Sequence, residues 1–281
     1  MAPGAARRAE VAPARLVGCW LLAALALLAP GSGPALAEPN SSDAWRAPFG
    51  GHWNAQFTIA SDYSYAGISN TQLQPAFQVG LDYSSPFLLA LGPPLWLYVT
   101  GFGSNVQFPG LGPGVEIDVA GGMKINSDDR KLAIDVGYQR YLYPSYPASG
   151  GYEYGEVQAR IDYDFGPVLV SGRVRWSPDN FAHSGQSWNK RGLVSVPLDF
   201  LPLPNDVKLK VYGSLGNFWV EKPQAYGIPN NDYWFWQVGV VTSVWGLDFT
   251  FAYTDTNIDF VGCGYTQYCS GRAFLSVTKT F

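Results

Sequence analysis

The chain reads as an all-β transmembrane barrel, antiparallel and up-and-down, with about twelve strands. Three observations predict it. Runs of about ten residues alternate apolar and polar side chains, the period of a strand with unlike faces. Aromatic residues make up 15% of the 281 positions and charged residues only 14%, well below the roughly 25% charged usual in soluble domains. Beyond the N-terminal region no segment is apolar for long enough to span as a helix, and in lipid only helices and closed barrels satisfy every backbone group.

The address comes first in chain order. Arg7, Arg8 and Arg15 precede an apolar run at 16–29, followed by a Pro/Gly break and the small-residue site Ala35-Leu36-Ala37. This is a secretory signal peptide over residues 1–37, cleaved after Ala37; its 14 apolar residues fall short of the roughly 20 of a membrane helix. Cleavage removes three Arg and one Glu, leaving 244 residues with 15 basic and 21 acidic side chains. An acidic chain without a basic cluster excludes a nucleic-acid partner. Residues 38–50 are polar, contain proline and lack periodicity, as befits a periplasmic tail. The barrel then occupies residues 51–281.

Each strand follows from its alternation. Trp53, Ala55, Phe57 and Ile59 oppose Asn54, Gln56 and Thr58; Phe77, Val79, Leu81 and Tyr83 oppose Gln78, Gly80 and Asp82. Val115, Ile117 and Val119 oppose Glu116, Asp118 and Ala120, and Leu132, Ile134, Val136 and Tyr138 oppose Asp135, Gly137 and Gln139. The grammar continues with Val157, Ala159, Ile161 and Tyr163 against Gln158, Arg160 and Asp162, then Val170, Val174 and Trp176 against Ser171, Arg173 and Arg175. Val207, Leu209 and Val211 oppose Lys208, Lys210 and Tyr212; Leu247, Phe249, Phe251 and Tyr253 oppose Asp248, Thr250 and Thr254. Further strands near 95–105, 192–198 and 233–245 precede the last.

In that last strand Lys279, Val277, Leu275 and Ala273 share one face, while Thr280, Thr278, Ser276, Phe274 and Arg272 share the other. The aromatic Phe281 closing it is expected to be the assembly signal read by a barrel-assembly machinery from the periplasm. Lys279 sits on the apolar face and is expected to snorkel to the inner interface.

Alternation alone does not separate this barrel from a soluble sandwich, whose strands carry the same pattern. The secretory signal, the aromatic load and the terminal Phe281 favour the barrel, and the connections offer an independent check, because membrane barrels have short periplasmic turns and longer outer loops. Segments 126–130, 165–167 and 245–246 are tight, whereas 144–151, 177–190, 217–232 and 255–271 are longer. Two inner connections, 84–94 and 199–206, are longer than that rule prefers. Aromatic side chains near strand ends are expected to form interfacial girdles: Trp53, Tyr63, Tyr65, Tyr83, Trp96 and Tyr141, then Tyr143, Trp176, Trp188, Tyr233, Trp234 and Trp236.

With the polar face inward, Asp62, Asp82, Glu116, Asp118, Asp135, Asp162 and Asp248 line or approach the lumen. Arg160, Arg173, Arg175, Lys208, Lys210 and Arg272 join them. Early strands are mainly acidic and two later ones basic, an arrangement that sets a transverse field across a water-filled pore. Alternatively the charges pair and fill a narrow lumen, as in small barrels.

Cys263 and Cys269 survive signal cleavage and form a pair suited to a disulfide in an oxidising compartment. No His lies beside them, and nothing resembles a nucleotide loop, a metal cluster or a cofactor box. An outer-membrane lipid hydrolase needs a Ser/His pair; only His52 and His183 exist, and His183-Ser184 are adjacent in sequence, badly placed for a nucleophile-base bond. A structural or adhesive barrel working through its outer loops is the other rival.

The run Ser61-Asp62-Tyr63-Ser64-Tyr65-Ala66-Gly67-Ile68-Ser69 resembles the N-terminal signature of the TorF-type porins of proteobacteria, S-D-Y-x-[FY]-R-G-[IV]-S. Pro75-Ala76-Phe77-Gln78-Val79-Gly80-Leu81-Asp82-Tyr83, Gly103-Ser104-Asn105-Val106 and Asp135-Val136-Gly137-Tyr138 with Tyr141-Leu142-Tyr143-Pro144 follow in the family's order. Trp176-Ser177-Pro178-Asp179, Gln237-Val238-Gly239-Val240 and Tyr253-Thr254-Asp255-Thr256 extend the resemblance over about residues 52–281. It implies a porin-type barrel in the outer membrane of a Gram-negative bacterium, with surrounding lipid, the assembly machinery and small polar solutes as partners. It brings no catalytic residues. The signature's Arg is Ala66 here, so any selectivity carried by that charge does not transfer.

Overall fold

A computed structural model describes residues 51–87 and 95–281. The expected signal peptide and the tail at 38–50 lie outside the described residues. The strands, in chain order, are β1 (His52–Ala60), the short β2 (Ser64–Tyr65) and β3 (Ile68–Ser69), β4 (Ala76–Phe87), β5 (Leu95–Phe108), β6 (Gly112–Asn126) and β7 (Leu132–Leu142). They continue as β8 (Tyr154–Asp164), β9 (Leu169–Ser177), β10 (Ser187–Pro197), β11 (Lys208–Val220), β12 (Asp232–Val244), β13 (Leu247–Thr256) and β14 (Arg272–Thr280). All but β2 and β3 belong to one closed antiparallel barrel of twelve strands, each paired with its chain neighbour, and β1 closes on β14. Closure removes every sheet edge, so the ladder satisfies its own backbone groups.

Side-chain burial is inverted relative to a soluble protein. On β6, Val115, Ile117 and Val119 are exposed while Glu116 and Asp118 are buried; on β4, Phe77, Val79 and Leu81 are exposed while Gln78 and Asp82 are buried. The apolar face therefore points away from the barrel and the polar face into it, which suits a lipid surround and not water.

Connections sort by end, apart from the short outer turn 109–111 between β5 and β6. At the inner end, segments 127–131, 165–168 and 245–246 are short; in the last, Trp245 and Gly246 both have positive φ, 54° and 69°, the conformation of a two-residue hairpin turn. At the outer end, segments 143–153, 178–186, 221–231 and 257–271 are longer. Several strands run further than alternation indicates: β4 continues through Pro86 to Phe87, β10 starts at Ser187 and β11 reaches Val220. The connection at 198–207 stays long and is folded on itself, with Val207 N–H donating to Pro204 O and Leu201 N–H to Leu198 O.

The girdle expectation is corrected in part. Trp53, Trp188 and Trp234 are exposed on the outer face, and Trp53 packs on Tyr83 and Trp188 on Trp176. Tyr63, Tyr65, Tyr141, Tyr143 and Tyr233 are instead buried inside the barrel, and Trp96 shares the inward phase of β5 with Tyr98 and contacts His52. The physical reason for Tyr63, Tyr65, Tyr141 and Tyr143 is their phenol oxygen, which finds carboxylate or guanidinium partners in the lumen. At the seam, Phe281 N–H donates to Ala55 O at 2.9 Å, prolonging the pairing of β1 with β14. Lys279 Nζ reaches Gly246 O at 3.1 Å and lies 5.8 Å from the Phe281 ring centre, so its apolar stem stays on the outer face while its charge meets polar atoms at the inner rim.

Candidate functional site: a charged lumen crossed by a hairpin

Residues 61–75, between β1 and β4, turn into the barrel. Asp62 organises the entry: its Oδ1 accepts from Ser69 Oγ at 2.6 Å and Thr71 Oγ1 at 2.8 Å, and its Oδ2 from Arg272 Nε at 2.7 Å. Strands β2 and β3 pair as a two-stranded hairpin whose turn is Ala66-Gly67, both with positive φ, 46° and 85°. Glycine is required at the second position, because a Cβ there would stand 2.4 Å from Thr256 Cγ2. Arg272 Nη1 also donates to Gly67 O at 3.0 Å. Ala66 itself is buried with Phe218, Val220, Tyr233 and Phe235, so the position at which the TorF-type signature has Arg is an apolar socket here and not the lumen wall.

The hairpin crosses the lumen. Tyr63 OH donates to the Glu116 carboxylate on β6, which also accepts from Tyr143 OH at 2.7 Å. Tyr65 OH donates to Glu156 Oε1 at 2.9 Å on β8, five places from β1 around the ring. Glu156 Oε2 takes a second bond from Tyr141 OH at 2.7 Å and faces Arg175 Nη1 at 3.4 Å; that nitrogen also donates to Tyr141 OH at 2.7 Å. Both members of this ion pair are 1% exposed. Burial of that degree makes the pair depend on its hydrogen bonds, to which the hydroxyls of Tyr65 and Tyr141 contribute. Asp118 is held by Gln139 Nε2 at 2.8 Å. Outside the hairpin, a cavity of about 530 Å³ opens among Tyr65, Ile68, Glu116, Tyr143, Phe181 and Tyr226.

The inner half of the lumen is less completely paired. Arg160 Nε donates to Asp162 Oδ1 at 2.9 Å, with Ser171 on the same carboxylate, and Asp248 accepts from Ser243. Tyr98 OH donates to Asp135 Oδ1 at 3.0 Å; its ring lies over Gly122 and Gly137, where a Cβ would come within 2.5 Å and 2.4 Å of that hydroxyl. Both Asp82 oxygens and the Nε atoms of Arg173 and Arg191 are buried without a hydrogen-bond partner.

Every charge expected at the lumen on a strand falls on the inward phase of that strand, with Lys208 exposed at the inner end of β11. Asp62 and Arg272 serve the hairpin anchor, and Glu116 and Arg175 serve its far contacts. Arg191 escaped the sequence reading because its β10 run began at Gly192; the register that places Arg191 directly opposite Arg173 shows it.

Cys263 and Cys269 are bonded, and their loop caps the hairpin. Cys269 is buried against Tyr65 and Ala66, and Tyr268 O accepts from Ser69 N–H at 2.9 Å. So short a closed loop is worth about 2–3 kcal/mol in the chain-entropy account. Replacing both cysteines by alanine should therefore lower the melting temperature of the outer-end structure and abolish the mobility shift on reduction; unchanged melting would show that the bond contributes nothing.

In the outer connection 178–186, His183 Nδ1 pairs with Asp179 Oδ2 at 2.8 Å, and this hydrogen bond, more than any other influence, holds the Asp179 carboxyl below its ordinary range. Ser184 is fully buried and its Oγ has no hydrogen-bond partner. The three residues thus share a loop without forming the nucleophile-base contact that hydrolysis requires. Among the described residues no group of three or more His, Cys, Asp or Glu could hold a metal ion.

A family model described as a bacterial protein of unknown function (Gcw_chp) matches residues 47–281. The chain belongs to that family. None of the curated proteins matches this Gcw_chp member. Among solved structures it is similar to LpxR from Salmonella typhimurium, at 10% identity and TM-score 0.46, with 81% of this chain and 99% of that chain covered. It is also similar to the NanC porin, at 10% identity and TM-score 0.46 over 81% and 98% of the two chains. The KdgM porin is 9% identical, with a TM-score of 0.44 over 81% and 99%.

Proposed function

We propose that this Gcw_chp protein is an outer-membrane channel for passive diffusion of small polar solutes, narrowed at its outer half by the hairpin of residues 61–75. One observation carries the reading. Inward-facing charges of the inner half keep access to solvent: Arg160 and Asp162 are 24% and 20% exposed and Asp135, Arg173, Arg191, Lys210 and Asp248 are half-buried, whereas Glu156 and Arg175 beside the hairpin are 1% exposed. Side chains filling the barrel solid would shut such groups off from water at a cost of several kcal/mol each; their access fits a water-filled inner lumen. The resemblance to TorF-type porins supports the same reading, as does the outer-membrane address expected from the segment ending at Ala37, with Phe281 as the assembly signal in a Gram-negative envelope.

The hairpin favours a second reading, a non-conducting barrel that acts through its outer loops. Planar-bilayer recordings separate the two. The channel reading expects discrete conductance steps from purified protein, and a change in their ion selectivity when Asp118 is replaced by asparagine. Silence from the native protein and from a variant without the hairpin contacts would leave the non-conducting reading standing.

A further inference from the structure

We propose that the inner lumen carries a seat for small oxyanions, carboxylates or phosphates, built on a ladder of three arginines. Arg160 on β8 is the direct register partner of Arg173 on β9, and Arg173 is the direct partner of Arg191 on β10. All three lie on the inward phase of their strands. Like charges directly opposite one another destabilise a sheet, so three in a row are a cost that barrel folding itself does not require.

Among the described residues, only Arg160 of the three has protein counter-ions, Asp162 and the facing Asp135 of β7. Arg160 is bonded to Asp162, and Arg191 Nη2 donates to the neutral Ser214 Oγ at 2.7 Å. Arg173 takes part in no ion pair among the described residues, and its Nε, like that of Arg191, is buried without an acceptor. Lys208 and Lys210 on β11 add to the same wall, so five cations on β8–β11 inward of the Arg175–Glu156 pair stand against Asp162 and Asp164. Diametrically opposite β10 in the ring is β4, which carries Asp82. The field therefore points from one wall to the other and holds an anion against the arginine side.

The spacing fits the ligand. Neighbouring strands lie about 4.8 Å apart, so guanidinium forks on adjacent strands can reach different oxygens of one carboxylate or phosphate, the group that arginine binds bidentately. The seat would favour anions over cations in passage, and it deepens the channel reading, on which it rests for the claim that its occupant moves through the pore.

The test uses the purified mature protein, with heat-modifiable gel mobility to confirm that each variant is folded. In bilayers under a potassium chloride gradient, the reversal potential should show anion preference, falling several-fold in Arg173→Gln and in Arg191→Gln but largely kept in Arg173→Lys. Separately, calorimetric titration of the detergent-solubilised protein with inorganic phosphate and with succinate should show binding that weakens with ionic strength and is lost in the two Gln variants. Conductance without anion preference, or preference and binding unchanged in both Gln variants, overturns the seat while the channel survives. Phosphate binding lost in the variants, in a protein that never conducts, upholds the seat and overturns the channel. Neither binding nor conductance overturns both.

Discussion

If the barrel conducts as proposed, replacing Tyr63 and Tyr65 together by alanine should raise the single-channel conductance several-fold. Each phenol bridges the lumen, one to Glu116 and the other to Glu156, and each ring is at least 95% removed from solvent. Truncation removes both far contacts and the edge-on packing of Tyr65 on Tyr141 and Phe218, while the anchor at Asp62 and Arg272 remains. The hairpin then keeps its base and loses its reach. A milder pair, Tyr63→Phe with Tyr65→Phe, keeps the ring volume and removes only the hydroxyls, so it should widen the distribution of conductance levels with a smaller rise in the mean. Unchanged conductance in the alanine pair would mean that the hairpin does not set the narrowest point.

Arg175→Met lowers barrel stability by about 3–5 kcal/mol, the range for stripping one partner from a buried ion pair. Glu156 is left with its charge in a site where it and Arg175 are each 1% exposed, and Tyr141 loses the donor to its hydroxyl. The readout is the temperature at which the folded band converts to the unfolded one on a gel. Adding Glu156→Gln to Arg175→Met should recover a large part of the loss, since the amide oxygen still accepts from tyrosine and no bare charge remains. If the double variant is no more stable than the single, the destabilisation comes from lost packing of the long Arg175 side chain and not from charge.

What the sequence made legible follows from the period of two. Once a run is a strand, each side chain's face is determined, so spacing puts Glu116, Asp135, Arg173 and Lys210 on the polar faces of their strands, and the barrel reading puts those faces inside. Strand ends were harder. Pro86 lies within β4, where proline normally argues for a boundary, and the outer ends of β10 and β11 reach beyond the alternation used to find them. The hairpin was hidden for another reason: its contacts lie 53 and 91 residues away, at Glu116 and Glu156, and no local pattern says that a loop turns inward. Tyr141 and Tyr143 were misread as girdle aromatics because a tyrosine suits an interface and a polar interior equally well. The clue that distinguishes them is phase: Tyr141 is in step with the inward Gln139 on β7, and Tyr143, just past the strand's end, continues that phase.

Arg272 and Asp62 are separated by 210 positions, and this has a consequence for the order of assembly. The clasp at the base of the hairpin cannot fasten until the twelfth barrel strand has docked beside the first, because its cationic half arrives with that strand. Non-local contacts of this kind form late. The crossing contacts to Glu116 and Glu156 need only β6 and β8, so it is the base of the hairpin alone that fastens last, in a molecule whose wall is complete.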